Sequence, residues 1–404
     1  MEPLAIDGGA PVRPSAFPPW PHFAEDEVEA AGRVLRSGQV NYWTGEECRR
    51  FEAEFAAMLG SRHAISLANG TAALELALHA LGIGPGDEVV VPSRTFIASA
   101  SCVARVGAVP VVCDVDRDSG NLSAATVRQV LTPRTRAVVA VHLAGWPCDM
   151  DPLLALAAER GLELVEDCAQ SHGATYKGRP VGTMGRCGAY SFCQDKIMTT
   201  GGEGGMLVTD DTAVWERAWA YKDHGKSWDA VFRRSHPPGF RWLHESFGTN
   251  WRMTEMQAAI GRLQLRKLPG WLERRTANAR LLADALAGLP GLRVSMPGAD
   301  VGHAWYKFYA YLLPEALAPG WDRDRVIEAV TAEGVPCFSG SCGEIYREQA
   351  FVRAGWGPGQ PHTVARELAG TSVMFLVHPT LGDGEMRDAA AALRKVLAVA
   401  ARPT

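Results

Sequence analysis

The sequence predicts an α/β fold, in which a mostly parallel sheet lies between helices and is followed by a smaller α+β domain. The first observation is length, because 404 residues exceed what one hydrophobic core usually serves. The second is an alternation of short β-branched runs with helical patterns, which is typical of parallel strands joined by crossover helices. The third is a change to an α+β pattern in the last third of the chain. We therefore place the two domains at residues 1–266 and 267–404.

The predicted elements of the large domain follow one another at regular spacing. A Gly- and Pro-rich extended arm, 1–22, precedes helical patterns over 25–36, 71–81 and 152–160. Strand runs occur at 88–91, 109–114, 137–142, 162–166, 189–192 and 205–208. A helix over 254–268 takes Thr254 as its N-cap. The next helix, 272–289, leads to a strand at 306–313 and helices over 323–333 and 386–400.

Composition and charge narrow the range of functions. The chain is 47% hydrophobic with a formal net charge of −4, which favours neither nucleic acid nor an anionic membrane as a partner. Nine cysteines, without a Cys-x-x-Cys pair, argue against a disulfide framework or a zinc ribbon. The N-terminus lacks the features of a signal peptide, and the apolar runs are shorter than the ~20 residues of a membrane helix. We expect a soluble, cytoplasmic protein.

A lysine lies immediately before a glycine-rich loop. Lys196 follows the strand run at 189–192 and precedes Thr-Thr-Gly-Gly-Glu-Gly-Gly at 199–205. An amine after a strand of an α/β fold can point into the crevice where such folds bind ligands, and it can form a Schiff base with an aldehyde cofactor. A solvent-facing lysine beside a flexible loop is the alternative. Because Lys196 precedes the glycines, the segment is not a Walker A loop.

Two carboxylates, Glu166 and Asp167, end another strand run. A pyridoxal ring is a useful electron sink while its ring nitrogen stays protonated, and a buried carboxylate facing that nitrogen keeps the proton there. Asp167 is the better candidate, since side chains alternate along a strand and Glu166 would point to the opposite face. An ordinary strand-end acid is the alternative.

Two further segments suit a flat, phosphorylated ligand. Gly70, Thr71 and Ala72 open a helix, whose free N–H groups and dipole form a natural phosphate site, and the Ser191 hydroxyl could add a donor. Phe96 follows a strand and could stack on a flat ring. A simple helix start and a plain core phenylalanine are the alternatives.

A polar loop before the helix at 254–268 carries Asn250 and Arg252. These side chains could hold a phosphate or an acidic substrate. A capping loop without a ligand is the alternative.

Together these segments resemble the DegT/DnrJ/EryC1/StrS family of sugar aminotransferases, within the fold type I pyridoxal-phosphate enzymes. The resemblance runs from Leu-Ala-Ile-Asp-Gly-Gly at 4–9 to His-Pro at 378–379. Its specificity lies in the ordered set of Asn-Gly-Thr-Ala, Glu-Asp-Cys-Ala-Gln, Ser-Phe-x-x-x-Lys with its glycine-rich tail, and Asn-x-Arg-Met. The fold type implies a seven-stranded sheet in the large domain.

The resemblance implies a role for each matching residue. Lys196 would hold pyridoxal 5′-phosphate as a Schiff base and shuttle protons, and Asp167 would pair with the ring nitrogen. The other implied cofactor contacts are Gln170 at the phenolic oxygen, Phe96 on the ring face, and Gly70, Thr71, Ala72, Ser191 and Asn250 at the phosphate. Asn250 would come from the other subunit, which implies a homodimer with shared active sites.

The chain departs from the family pattern in three places. Cys193 stands where His is common, and the glycine-rich tail has an extra glycine. The segment 222–247 is long and rich in Trp, His and Arg. We expect this segment to shape the acceptor pocket, with Arg252, Lys226 and Trp242 as candidate substrate contacts. An elongated dimer-contact loop fits the same segment equally well.

The resemblance implies transfer of an amino group from an amino acid, most often glutamate, to a keto group of a nucleotide-linked sugar. A keto-cyclitol or another keto intermediate of secondary metabolism is an open alternative as the acceptor. Dehydratases related to this family carry His at the lysine position, so Lys196 argues against that class. A non-enzymatic regulator would need a DNA-binding segment and a basic patch, and neither is visible in the sequence.

Overall fold

The computed structural model describes residues 3–402, and its strands and helices alternate as predicted. The strands are β1 (His63–Leu67), β2 (Glu88–Pro92), β3 (Val109–Cys113), β4 (Thr135–Val141), β5 (Glu163–Asp167), β6 (Thr175–Tyr176), β7 (Arg179–Pro180), β8 (Cys187–Ser191), β9 (Gly205–Thr209), β10 (Leu292–Arg293), β11 (Val301–Gly302), β12 (Phe308–Leu312), β13 (Cys337–Phe338) and β14 (Ser372–Phe375). The α-helices are α1 (Glu25–Ser37), α2 (Glu47–Leu59), α3 (Gly70–Ala80), α4 (Ala98–Arg105), α5 (Ala124–Arg128), α6 (Met150–Arg160), α7 (Thr212–Lys222), α8 (Trp228–Phe232), α9 (Glu255–Leu286), α10 (Arg323–Ala332), α11 (Gln349–Ala354), α12 (Thr363–Thr371) and α13 (Asp383–Ala400).

A seven-stranded sheet with the order β1-β9-β8-β5-β4-β2-β3 forms the centre of the first part of the chain. The neighbouring pairs from β8 to β3 are parallel, and β9 runs antiparallel to both β1 and β8. This confirms the predicted mostly parallel α/β sheet. All six predicted strand runs fall on this sheet, and β1, which the sequence analysis did not identify, completes it.

Helices cover both faces of the sheet, so successive strand residues enter different hydrophobic clusters. Val90 packs into a cluster that contains Phe55, whereas Val89 and Val91 pack into a second cluster that contains Leu78. A strand that is buried on both faces carries a continuous apolar run. This explains why short Val-rich runs, and not alternating ones, predicted the strands.

The helix α9 differs from the prediction. The sequence predicts separate helices over 254–268 and 272–289, but α9 is one helix of 32 residues that contains Pro269. A proline removes one intrahelical hydrogen bond, and here packing against α1, α2 and α13 holds the turns on both sides in one helix. The predicted N-cap is confirmed, because the Thr254 side chain accepts the Gln257 N–H. Residue 266 lies inside α9, and the division of the chain at that residue stays a prediction.

The C-terminal part contains an antiparallel sheet with the order β10-β12-β14-β13. Its core includes Phe308, Phe375 and Leu393, which packs from α13. The predicted arm is extended apart from a 3-10 turn at Ala5–Asp7. Residues 1–2 of this arm and residues 403–404 of the predicted small domain lie outside the described residues. Within residues 3–402, none of the helices combines the length and the apolar character that crossing a membrane requires.

Candidate active site

One pocket, with a volume of about 560 Å³, collects most of the residues that the sequence analysis selected. It lies at the carboxyl ends of β2, β4, β5 and β8, where open α/β sheets bind their ligands. The C-terminal part closes its other side with residues of and around β12, β13 and β14. The predicted site residues that line it are Gly70, Thr71, Phe96, Asp167, Gln170, Ser191 and Lys196.

Lys196 lies in a turn after β8, and its side chain is only 17% exposed. The Nζ atom lies 3.9 Å from Asp195 Oδ1 and 5.0 Å from the centre of the Tyr306 ring. The lysine carbonyl accepts a hydrogen bond from Trp20 Nε1 at 2.9 Å, so the N-terminal arm also contacts this turn. The placement argues against a solvent-facing lysine on a flexible loop.

Asp167 ends β5 and is buried at the base of the pocket. Ser99 Oγ donates to Asp167 Oδ2 at 2.8 Å, and the Ala169 N–H donates to Oδ1 at 3.1 Å. Burial raises the pKa of Asp167, while the Ser99 hydrogen bond and the charge of Lys196 oppose that rise. A buried carboxylate of this kind gains from a cationic partner, such as a protonated ring nitrogen.

Glu166 points to the opposite face of β5, as strand alternation predicts. Its Oε2 is 3.0 Å from His142 Nε2 and accepts the Gly182 N–H at 2.7 Å. Its Oε1 accepts the Met184 N–H at 2.7 Å and the Gly185 N–H at 2.6 Å. Both oxygens are thus engaged within the fold, away from the pocket, and Glu166 acts as a structural anchor.

The start of α3 forms one end of the pocket. Asn69 caps the helix, since its Oδ1 accepts the Ala72 N–H at 2.9 Å, and the N–H groups of Gly70 and Thr71 have no intrahelical acceptor at this position. A Cβ atom on Gly70 would lie 2.5 Å from Ser191 Cβ, so only glycine lets the helix end approach this serine. The result is a cradle of N–H groups and a hydroxyl that fits a phosphate.

Phe96 is 64% exposed and lines the pocket, so it is not a core phenylalanine. Its exposed ring is therefore available to a flat ligand in the pocket. Together with the amine, the buried carboxylate and the phosphate cradle, it makes the residues of this pocket a good fit for pyridoxal 5′-phosphate.

Five predicted residues do not line the pocket of their own chain. One is Ala72, whose N–H donates to the Asn69 cap, and the other four are Asn250, Arg252, Lys226 and Trp242. Arg252 Nη1 is 2.6 Å and Lys226 Nζ is 2.8 Å from Asp223 Oδ1, and Asn250 forms a backbone bridge with Asp223. Trp242 is 84% exposed. The structure therefore brings Asn250, Arg252 and Lys226 together around the Asp223 carboxylate. None of the three lines the pocket that contains Lys196 of the same chain.

The sequence analysis missed the residues that the C-terminal part contributes. The Tyr306 hydroxyl donates to Asp195 Oδ2, and Lys307 Nζ lies 4.0 Å from the same oxygen. Burial lowers the pKa of Lys307 to about 8, although the Asp195 carboxylate opposes this effect. Asp195, next to Lys196 in sequence, was the available signal, but an acid beside a lysine is common on any protein surface.

Comparison with known proteins identifies the family. Residues 21–394 match the profile of the DegT/DnrJ/EryC1/StrS aminotransferase family. The chain is 43% identical over 283 residues to the dTDP-3-amino-3,4,6-trideoxy-alpha-D-glucose transaminase of Streptomyces venezuelae, covering 70% of this chain and 71% of that protein. It is 37% identical over 418 aligned positions to the L-glutamine:2-deoxy-scyllo-inosose aminotransferase of Streptoalloteichus tenebrarius, covering 98% and 97%.

The fold is also found in solved structures. The crystal structure of an aminotransferase from Psychrobacter cryohalolentis superposes with a TM-score of 0.93 at 54% sequence identity. The match covers 95% of this chain and 99% of that chain. A likeness of this extent includes both the central sheet and the C-terminal part that closes the pocket.

Proposed function

The chain belongs to the DegT/DnrJ/EryC1/StrS aminotransferase family and is a pyridoxal-phosphate-dependent aminotransferase; we propose that it transfers an amino group from an amino acid, with glutamate as the donor, to a keto group of a nucleotide-linked sugar. The observation that carries the proposal is the pocket in which Lys196, Asp167 and the α3 cradle face one another. The 43% identity to a transaminase named for a dTDP-linked sugar supports the sugar as acceptor.

When bound, pyridoxal phosphate supplies an electron sink for the carbon that loses or gains a proton. In our proposal Lys196 would hold the cofactor until the amine of the donor displaces it, and the freed Nζ would then take the proton from the α-carbon of the donor. In the second half, Nζ delivers a proton to the former carbonyl carbon of the acceptor. Asp195, 3.9 Å from Nζ, stabilises the ammonium form that Lys196 adopts while it carries the proton.

Asp167 would keep the ring nitrogen of the bound cofactor protonated. Its orientation is held by Ser99 Oγ and by the Ala169 N–H, and Ser99 is itself paired with Thr95 Oγ1 at 2.9 Å. Because these groups are buried, water does not screen the interaction between the carboxylate and the ring.

We further propose a homodimer in which each active site takes residues from both chains. Arg252, Lys226 and Asn250 gather around Asp223 outside their own pocket. One carboxylate faces two cations there, which leaves one positive charge for an anionic group. The Arg252 Nε atom is buried, and no group within residues 3–402 forms a hydrogen bond with it. These features suit a cluster that meets the phosphates of the partner's cofactor or substrate, with exposed Trp242 at its margin.

A keto-cyclitol acceptor is the second candidate. The observation in its favour is coverage, since the relative named for 2-deoxy-scyllo-inosose is matched over 98% of this chain. Such an acceptor carries no nucleotide, so it would not need the positive cluster around Asp223.

The two candidates are separated by a screen of the purified enzyme in its aminated cofactor form. Keto sugars linked to a nucleotide, and 2-deoxy-scyllo-inosose, are added one at a time, and the loss of the aminated cofactor's absorbance is followed. We expect loss with a nucleotide-linked keto sugar and none for Lys196→Ala. Loss with the cyclitol alone would replace the first candidate by the second, and loss with neither class would refute both.

A further inference from the structure

We propose that Lys307 is the residue by which the pocket recognises a carboxylate of its substrates, on either the amino-acid donor or the acceptor. The proposal rests on the proposed function, because it assigns a specificity-determining contact within the same site.

Lys307 immediately precedes β12 and lines the pocket together with Lys196. Its side chain is 16% exposed, and Nζ lies 4.0 Å from Asp195 Oδ2, which exceeds the length of a hydrogen bond. Nζ also lies 4.7 Å from the centre of the Tyr306 ring. The ammonium is therefore held near the reacting lysine while its N–H donors are not used by Asp195.

The charged groups that act directly on Lys307 are mostly cations. The charged groups that act on it are two cations, Lys196 and Arg275, and one carboxylate, Asp195. Asp167 and Glu203 also line the pocket, and Asp167 interacts with Lys196, but Asp195 is the carboxylate that acts on Lys307. Asp195 also accepts the Tyr306 hydroxyl, which reduces what it can offer to the lysines. An anion from outside the chain would give the Lys307 ammonium a partner at hydrogen-bond distance, which Asp195 at 4.0 Å does not provide.

A carboxylate is the anion that fits this place. The cradle of Gly70, Thr71 and Ser191 already suits the cofactor phosphate, and the cluster around Asp223 suits other phosphates. Lys307 lies on the side formed by the C-terminal part, beside the lysine that we assign to proton transfer. Every amino-acid donor brings a carboxylate to such a position, and an acceptor sugar that carries an acid group would bring the same chemistry.

The test measures binding by calorimetry to the holoenzyme, with two pairs of unreactive probes that differ in a carboxylate. Glutarate and glutaramide represent the donor, and UDP-glucuronate and UDP-glucose represent the acceptor. Lys307→Met removes the charge, and Lys307→Arg keeps it. Lys177→Met is the matched control, because Lys177 pairs with Asp151 on the surface and is 48% exposed.

The wild type is expected to prefer the acidic member of at least one pair by about 10- to 100-fold, the range for one charge-assisted hydrogen bond. Lys307→Met should lose that preference, Lys307→Arg should keep part of it, and Lys177→Met should keep it fully. If Lys307→Met loses the preference for glutarate, Lys307 recognises the carboxylate of the amino-acid donor. If it loses the preference for UDP-glucuronate, Lys307 recognises a carboxylate of the acceptor. Cofactor affinity should stay unchanged, which a general disturbance of the pocket would not allow.

The proposal is overturned if the wild type shows no preference in either pair, or if Lys307→Met retains it. Should Lys307→Met fail to fold, Lys307→Gln takes its place, and the wild-type preference is measured independently of any variant. A wild type that aminates no keto acceptor would refute the proposed function, whereas the binding preferences would still decide the role of Lys307.

Discussion

Substitutions at Asp167 and Glu166 should separate catalysis from stability at two neighbouring positions of one strand. Asp167 faces the pocket and accepts hydrogen bonds from Ser99 and Ala169. Glu166 faces the interior and is engaged by His142 and three backbone N–H groups. Asp167→Asn and Glu166→Gln each remove a charge with little change in size. The difference in outcome therefore reports what each carboxylate does.

For Asp167→Asn we expect a large loss of activity and a small loss of stability. Two unit charges about 4 Å apart interact by about 4 kcal/mol at an effective dielectric constant of about 20. If that interaction stabilises the transition state, its loss lowers kcat/KM by roughly 10³-fold. The asparagine oxygen can still accept the Ala169 N–H, and its amide can donate to Ser99, so the free energy of unfolding should fall by only about 1 kcal/mol.

For Glu166→Gln we expect the opposite pattern. The amide nitrogen of glutamine cannot accept a hydrogen bond. One orientation of the amide therefore leaves the donors at the Oε2 position without an acceptor, and the other orientation leaves those at the Oε1 position without one. A hydrogen bond to a charged group contributes about 1.5–3 kcal/mol, and two are lost. The free energy of unfolding should therefore fall by roughly 3–6 kcal/mol, while kcat/KM per folded molecule stays near the wild-type value.

The assay combines urea unfolding, which measures stability, with kcat/KM of the folded fraction for the amino-donor half of the reaction. Near wild-type kcat/KM for Asp167→Asn would refute Asp167 as the partner of the ring nitrogen. A Glu166→Gln variant that is fully stable but inactive would transfer that role to Glu166.

Three further predictions concern Lys196, Asn250 and Lys307. Borohydride should link the cofactor covalently to Lys196, as read by peptide mass spectrometry, and Lys196→Ala should abolish the linkage. Lys196→Ala and Asn250→Asp, each inactive alone, should regain roughly a quarter of the wild-type activity when co-expressed, because half of randomly assorted dimers are mixed and carry one intact site. The preference for carboxylate probes should be present below about pH 8 and decline as the pH rises through that value, since the pKa of Lys307 is about 8.

Each of these outcomes has a control. A linkage at another lysine would contradict the assignment of Lys196, and absence of rescue in verified mixed dimers would remove the shared site. For the pH profile, the groups near Lys307 have to keep the same charge while the pH passes through about 8. The pKa of Asp195 is lowered by Lys196 against the effect of burial, and burial lowers the pKa of Arg275 to about 9, so a decline centred near pH 9 would point to Arg275. Burial lowers the pKa of His378 to about 3, which keeps it neutral throughout.

Local chemistry explains why much of the site could be predicted. Glu166 and Asp167 follow a run of buried strand residues, and alternation along the strand is enough to assign one acid to the pocket and the other to the interior. The helix start at Asn69 and Gly70 is likewise readable, because capping residues have a local sequence signature. Parallel strands place such ends at one edge of a sheet, which explains why Gly70, Asp167 and Ser191 meet.

The sequence by itself thus determined the α/β class, most of the strand ends of the central sheet and seven of the residues that line the pocket, because these depend on short-range periodicity and side-chain chemistry. Only the tertiary structure decided that α9 is continuous through Pro269, since packing on both sides outweighs one lost hydrogen bond. It also decided that Tyr306 and Lys307 join Lys196, because a contact across more than a hundred residues is created by the packing of the C-terminal part against the sheet and leaves no local pattern.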